Sequence, residues 1–215
     1  MSKPQRQLKK KIVIYCEGDT EYNYFDAIRK MPNVEISIQA INMHGGGYRN
    51  FLTEIRKSGN YGKIATFIII DGDRAEQVPQ EKERLKELMD YCKMQNEKKS
   101  YPSYFLVVNN PDFEYVACLH DEHYKGGNIE QHITKNFGFK DIEKFKGNEK
   151  IYDFLHKDSR HHKIVLEKIK RQKKLIENEY EKKSVIITVT ETKIDWDLIG
   201  QKSTNINEIF EILEV

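Results

Sequence analysis

Four short apolar runs punctuate the first half of the chain, and each stops at polar residues. They are "KIVIYC" (11–16), "VEISIQAI" (34–41), "KIATFIII" (63–70) and "YFLVV" (104–108). The second alternates. The others are continuous and rich in β-branched or aromatic residues, as expected of strands covered on both faces.

Helix-period segments lie between the runs. Over 20–31, Tyr22, Phe25, Ile28 and Arg29 have helical spacing, and Thr20 is placed to cap the start. Phe51, Leu52 and Ile55 mark a second helix. Pro79 to Lys98 reads as a longer one, with Leu85, Leu88, Met89 and Cys92 on one face. Strand–helix–strand alternation predicts a mainly parallel α/β sheet flanked by helices, Rossmann-like in plan, over residues 1–125.

Residues 126–215 predict a mostly helical extension packed on that unit, and no linker separates the two. In "NNPDFEYVACLH" (109–120), Asn110 reads as an N-cap and Pro111 as the first helical residue. Short helices are expected near 128–137 and 148–156, a long basic helix over 160–183, a strand at "VIITV" (185–189) and a closing amphipathic helix over 205–213.

In parallel α/β sheets, ligands bind beyond the carboxyl ends of the strands. Here those ends carry Glu17-Gly18-Asp19, "NMHGGGYR" (42–49), Asp71-Gly72-Asp73-Arg74 and Asn109-Asn110, the last four residues before Glu114. Asp71 and Asp73 flank a glycine that permits a sharp turn. Two carboxylates that close repel, and a divalent cation resolves the conflict. Mg²⁺ or Mn²⁺ suits hard oxygen donors. Glu17 supplies a third carboxylate, as ligand or general acid/base. Glu114 is a further ligand or a brace for the strand ends. Asp19 and Glu21 read as helix-start acids.

Gly45, Gly46 and Gly47 precede a helix, where bare amides can cradle an anion. No GKS or GKT follows, so this is not a P-loop. Arg74 and Lys125 are candidate phosphate contacts. His120, His123, His156, His161 and His162 read as structural or solvated histidines, because no cysteine completes a zinc set. Cys16, Cys92 and Cys118 are too scattered for a disulfide framework and read as buried thiols. Tyr22, Tyr24 and Phe25 read as core.

Net charge is only +2, but it is unevenly placed. Residues 157–183 carry ten Lys/Arg against five acids, which offers a polyanion a basic face at Lys170, Arg171 and Lys174. No stretch approaches the roughly 20 apolar residues of a membrane helix, and the basic N-terminus lacks a secretory core. The cytoplasm is the expected location.

Taken together, these motifs resemble the RloB family of restriction-linked, phage-defence proteins, which carries a Toprim-like domain. The resemblance covers about residues 11–213. "VIYCEGDTEYNYF" resembles the family's IVCEG-x-TE-x-NYF opening, and "VNNPDFEYVACLH" its S-N-P-x-F-E-x-W-x-x-x-H pattern. "MHGGG", "FIIIDGDR" and "KSTNINEIFEIL" are similar to its glycine-rich, D-x-D and closing segments. Tyr115 or Val116 stands where the family has tryptophan, and Lys202 and Ser203 stand near a missing proline. His120 falls at a position the pattern retains. Toprim domains place a glutamate after strand one and D-x-D after strand three, which maps onto Glu17, Asp71 and Asp73. The resemblance implies Mg²⁺-dependent phosphodiester hydrolysis of RNA or DNA, in antiphage defence, alongside an ABC- or AAA-type ATPase.

Two other readings compete. One is a catalytically silent subunit that binds nucleic acid or the ATPase. The other is a haloacid-dehalogenase-like phosphotransferase with Asp71 as nucleophile. That class carries its D-x-D on the first strand and continues to Thr or Val, whereas Arg74 and Ala75 follow here.

Overall fold

The computed structural model describes residues 11–31, 37–58, 62–98, 103–179 and 201–213. Among the described residues, five strands form one sheet in the order β2-β1-β3-β4-β5. β1 (Lys11–Cys16), β2 (Ser37–Asn42), β3 (Lys63–Asp71) and β4 (Tyr104–Asn110) are parallel, and β5 (Ser203–Thr204) runs antiparallel to β4. The expected α/β architecture is what the chain adopts.

Side chains alternate across a strand, and both faces of this sheet are covered. Val13, Tyr15, Ile68, Ile70 and Leu106 pack against α2 (Gly47–Ser58) and α4 (Pro79–Glu97). Ile12, Ile14, Phe67, Ile69 and Val107 pack on the other side against α1 (Asp19–Arg29) and α5 (Phe113–Leu119). Two-sided burial explains why β1, β3 and β4 read as unbroken apolar runs. β2 is an edge strand, and Ile38 alone is buried along it.

The second core continues without a break into the C-terminal half. Ile133, Phe145, Ile151, Val165 and Phe210 join the cluster that contains Ile12 and Phe113. They come from α6 (Ile129–Gln131) and the π-helical turn His132–Asn136 that extends it, and from α7 (Ile142–Lys146), α8 (Ile151–Leu155), α9 (His162–Glu179) and α10 (Asn207–Leu213). α3 (Asp73–Gln77) is a single turn that leads into α4. The expected strand at 185–189 lies outside the described residues. Cys16, Cys92 and Cys118 are free and buried.

Two expected caps differ. α1 starts at Asp19 with Gly18 as N-cap, so Thr20 sits inside the first turn and its hydroxyl points to the Lys146 carbonyl at 3.4 Å. α5 is capped by Asp112, whose side chain accepts from the Tyr115 N–H at 3.0 Å. Pro111 follows a cis peptide bond and precedes the helix. Asn110 is instead a buried brace, donating through Nδ2 to the Gln201 carbonyl at 2.6 Å.

The closing segment clasps β4 through side chains. Asn205 accepts from the Val108 N–H at 2.9 Å and donates to the Leu106 carbonyl at 3.0 Å, as a neighbouring strand would. Thr204 donates to Asn109 Oδ1 at 2.8 Å. This clasp holds the carboxyl end of β4 beside that of β3, where Asp71 pairs with Asn109.

Candidate active site

Strand ends bring the sequence-distant acids together. Asp71 is the last residue of β3, and Glu17 follows the last residue of β1, its neighbour in the sheet. Glu17 Oε2 accepts from the Asp71 N–H at 2.9 Å. Asp71 Oδ1 is buried and takes no hydrogen bond among the described residues. The Asp71 carbonyl accepts from the Tyr48 hydroxyl at 2.7 Å, and that hydroxyl also receives the Ala75 N–H at 3.3 Å. Tyr48 thus ties α2 to both ends of the D-G-D turn.

Asp73 opens α3, with its N–H on the Pro111 carbonyl at 3.1 Å. Gly72 is required here by proximity. Its φ of −90° is ordinary, but an added Cβ would lie 3.0 Å from Asn110 Oδ1. Close approach of β4, not turn geometry, therefore selects glycine.

Asp71, Glu17, Glu21, Glu114 and Asp112 share this corner, with Asp73 beside Glu17. Burial, followed by repulsion from Glu21, Glu17, Glu114 and Asp112, pushes Asp71 well above the usual carboxylate range. Burial raises Glu17 too, opposed by the Asp71 N–H and by Arg74. Glu114 is pushed up to about 7 by burial and by Asp112, with Lys146 opposing. Glu21 is pushed up to about 8 by burial, with Glu114 and Glu17 adding repulsion and the backbone N–H groups of Gly18 and Glu21 opposing.

Glu21 is therefore more than a helix-start acid. At 3% exposure it is buried inside the cluster. As third residue of α1 it reaches back toward the Gly18 N–H in the manner of a capping box, which aims it at the sheet edge. The sequence signal was present: Glu17 and Glu21 are four residues apart across the strand–helix junction. Lys146 was also missed. Its ammonium lies 3.5 Å from Glu114 Oε2. Asp112 joins from the α5 cap, and burial raises its carboxyl.

The other candidates are distributed as follows. Arg74 Nε stands 4.0 Å from Glu17 Oε1, half exposed at the rim. In the glycine loop, His44, Gly45, Gly46 and Gly47 all have positive φ, and Gly47 opens α2. The Gly45 N–H is committed to the Glu17 carbonyl at 2.8 Å, so that amide braces the acid's backbone. Lys125 donates to the Glu122 carbonyl at 2.9 Å, on a loop beyond α5. Lys170, Arg171 and Lys174 are exposed on α9, whose Val165 and Ile169 face the core. His120 is fully buried against Tyr24, with no place in the acid corner.

The donor chemistry suits a hard divalent cation. Carboxyls whose ionisation is disfavoured by burial and mutual repulsion, with one orphaned oxygen on Asp71, are what a cation would ionise and satisfy. As positioned, however, the described residues include no group of three or more His, Cys, Asp or Glu side chains arranged to hold an ion. The D-x-D lies on the third strand, unlike the first-strand nucleophile of the phosphotransferase reading. No described helix is long and apolar enough to cross a membrane.

No curated protein and no solved structure matches this chain. The family of RloB-like proteins matches residues 12–213, nearly the whole length. The match spans the Glu17 strand end, the D-G-D turn, the capped α5 and the β4 clasp, and the chain belongs to the RloB-like family, which is associated with defence.

Proposed function

We propose that this protein is a Toprim-type nuclease that hydrolyses phosphodiester bonds of RNA or DNA with Mg²⁺ or Mn²⁺, as an effector of antiphage defence in the cytoplasm. The observation that carries the reading is the buried, unpartnered Asp71 Oδ1 inside a corner of carboxyls beyond the ends of β1, β3 and β4. Asp71, Asp73 and Glu17 would hold the cation, with Glu21 and Glu114 behind them. Such an ion, when bound, polarises a phosphate and stabilises charge on the leaving oxygen.

The chain's own groups supply the remainder. Arg74, at the rim beside Glu17, offers a bidentate fork to a phosphate oxygen. Glu21, pushed up to about 8 by burial, can give or take a proton near neutral pH, and Glu17, raised by burial, stands beside it. Lys146 steadies Glu114. Lys170, Arg171 and Lys174 offer an exposed basic strip to the polyanion. An ABC- or AAA-type ATPase is the proposed partner in defence.

The test is cleavage of labelled RNA and DNA with and without Mg²⁺, beside Asp71→Ala. Cleavage by the native protein and loss in the variant support the scheme, and full activity of the variant removes it. One observation favours a silent, binding-only subunit: Glu17 Oε2 is already engaged by the Asp71 N–H. Tight nucleic-acid binding without turnover, with Mg²⁺ and ATPase present, would select that reading.

A further inference from the structure

A second polar site lies at the far end of α5. The N-terminus of this helix carries Asp112 and Glu114, and its C-terminus leads to Asp121. Its 7 residues span about 10 Å at 1.5 Å each. Beyond it, a cavity of about 250 Å³ is lined by His123, Lys125, Asn128, Gln131, His132 and Asn136, with Tyr124 and Gly127. None of these is an acid. The volume falls below the roughly 300–1,000 Å³ of pockets for drug-sized ligands, so it suits one small polar group.

The loop around this cavity draws three ammonium groups. Lys168 of α9 donates to the carbonyls of Asp121 and Tyr124, the latter at 2.8 Å. Lys125 donates to the Glu122 carbonyl at 2.9 Å, and Lys202 to the Gly127 carbonyl at 2.7 Å. Carbonyls position an ammonium without neutralising it. No carboxylate lines the cavity; Asp121 is turned to His132, and the exposed Glu122 lies 3.5 Å from His123. Three ammonium groups are thus held around a polar hole whose lining carries no acid.

His132 sits at the back of that hole. Its Nε2 bonds buried Asp121 Oδ2 at 2.9 Å, which fixes the hydrogen on Nε2. No bond to its Nδ1 is formed among the described residues; in the neutral ring that nitrogen only accepts, so it donates to an anion once the ring takes up a proton, and anion binding is coupled to that protonation. Burial disfavours the imidazolium, Asp121 favours it, and Lys168 and His123 disfavour it. Lys168 is itself pushed down to about 8, chiefly by burial. An anion would relieve both groups. The larger cavity, about 940 Å³ between α1, β2 and α8, carries Asp19, Asp26, Glu149 and Asp153 and is unsuited to one.

We propose that the His132 cavity is a phosphoryl-binding subsite, in which His132 and Lys125 bind one phosphate group and Lys202 and Lys168 supply the surrounding field. That the phosphate belongs to a nucleic-acid strand rests on the nuclease reading. Binding of the group itself does not. Its source is either the terminal phosphate of a strand end or an internal phosphodiester.

The full chain with ¹⁵N-labelled histidine is titrated with inorganic phosphate, and with sulfate, which does not titrate near neutrality. The expected result is a saturable shift of the His132 ring signals. Affinity should fall at least five-fold in the exposed Lys125→Gln and in the half-buried Lys202→Gln, with an unchanged amide spectrum showing that each variant keeps its fold. Sulfate should bind more tightly as pH falls. Matched oligonucleotides with 5′-phosphate or 5′-hydroxyl then compete. Preference for the first assigns a terminal phosphate, and equal competition assigns the backbone. If none of these probes shifts His132 in the folded protein, or both variants bind as the native chain does, the proposal is overturned. Asp71→Ala separates the two readings: it should lose cleavage and keep the His132 shift.

Discussion

Glu17 Oε2 receives the backbone N–H of Asp71 at 2.9 Å, so the first acid of the corner is also a structural clip between β1 and β3. The two roles separate by substitution. Glu17→Gln keeps an acceptor for the Asp71 N–H but not the charge. Glu17→Ala leaves a largely buried donor unsatisfied, at a cost of about 1–3 kcal/mol. For a chain of this length that is several degrees of Tm. We expect Glu17→Gln to melt within about 2 °C of the native protein while losing Mg²⁺-dependent cleavage, and Glu17→Ala to lose both. Calorimetry beside a cleavage assay checks this, and a fully active Glu17→Gln would exclude the carboxylate from the chemistry.

Asp71 is held above the usual carboxylate range by burial and by its acidic neighbours. Asp71→Asn removes a carboxyl whose ionisation this corner disfavours, as expected for a functional residue kept at the expense of stability. Its Tm at pH 7.5 should equal or exceed the native value in the absence of Mg²⁺. The Tm rise on adding Mg²⁺, expected for the native chain as binding linkage, should disappear. Equal Mg²⁺ responses in the two proteins would place the cation elsewhere.

The same corner fixes a pH dependence. Glu21 moves from 4.5 to about 8, and Glu114 from 4.5 to about 7. Between these values the folded chain holds protons that the unfolded chain has released. Their contribution to stability is therefore fully present below about pH 4.5 and is lost as pH rises toward 8, on the order of 1 kcal/mol per pH unit per group. Tm without metal should fall from pH 6.5 to 8. Mg²⁺ should restore it more at pH 8 than at 6.5, with protons released on binding. A Tm independent of both would show that the acids are not protonated in the folded chain.

Much of this site could be read along the chain, for physical reasons. β1, β3 and β4 are buried on both faces, so their apolar runs are continuous and their polar ends conspicuous. That signal is local. It locates Glu17 and Asp71 at one edge because parallel strands share a direction. What could not be read depends on contacts distant in sequence. Glu21 and Asp19 look alike at a helix start, yet only Glu21 is covered, by the corner that Glu114 and Lys146 complete. β5 has two residues, too few for any periodicity, and its place is set by Asn205 imitating a strand beside β4. The pairing of Asp121 with His132 joins the loop after α5 to the end of α6 across eleven residues, a separation that no helical or strand period marks.

The glycine loop gives a separate prediction. Gly46 has φ +92°, and an added Cβ would run into the Asn50 side chain. Gly46→Ala therefore combines left-handed strain with a collision. It should destabilise by more than the roughly 1 kcal/mol by which a compatible Gly→Ala change stabilises. Gly45→Ala meets no neighbour and carries the backbone strain alone. Denaturant melts should rank Gly46→Ala below Gly45→Ala. The reverse order would mean that the loop adopts another conformation in solution.

The histidines set the acid limit of stability. The Tyr24 hydroxyl pairs with His120 Nε2 at 2.9 Å, and His120 Nδ1 faces the Val116 carbonyl at 3.0 Å, so the ring is neutral with its hydrogen on Nδ1. His156 stacks on Tyr152, bonds its carbonyl at 2.8 Å and meets His162 Nδ1 at 3.1 Å. Burial lowers His120 well below 6.5 and His156 to about 4. Groups depressed in this way stabilise fully above about pH 6.5 and lose that contribution as pH falls toward 4, where the unfolded chain takes up the protons. This opposes the carboxyl trend, so Tm should be nearly flat between about pH 4.5 and 6.5 and fall on either side. Tyr24→Phe strands the buried His120 Nε2 at a cost of about 1–3 kcal/mol. His120→Phe removes the titrating ring altogether, and its Tm should drop less steeply below pH 4.5 than that of the native chain. An identical acid limb in His120→Phe would show that His120 stays neutral throughout and that His156 and its neighbours carry the transition.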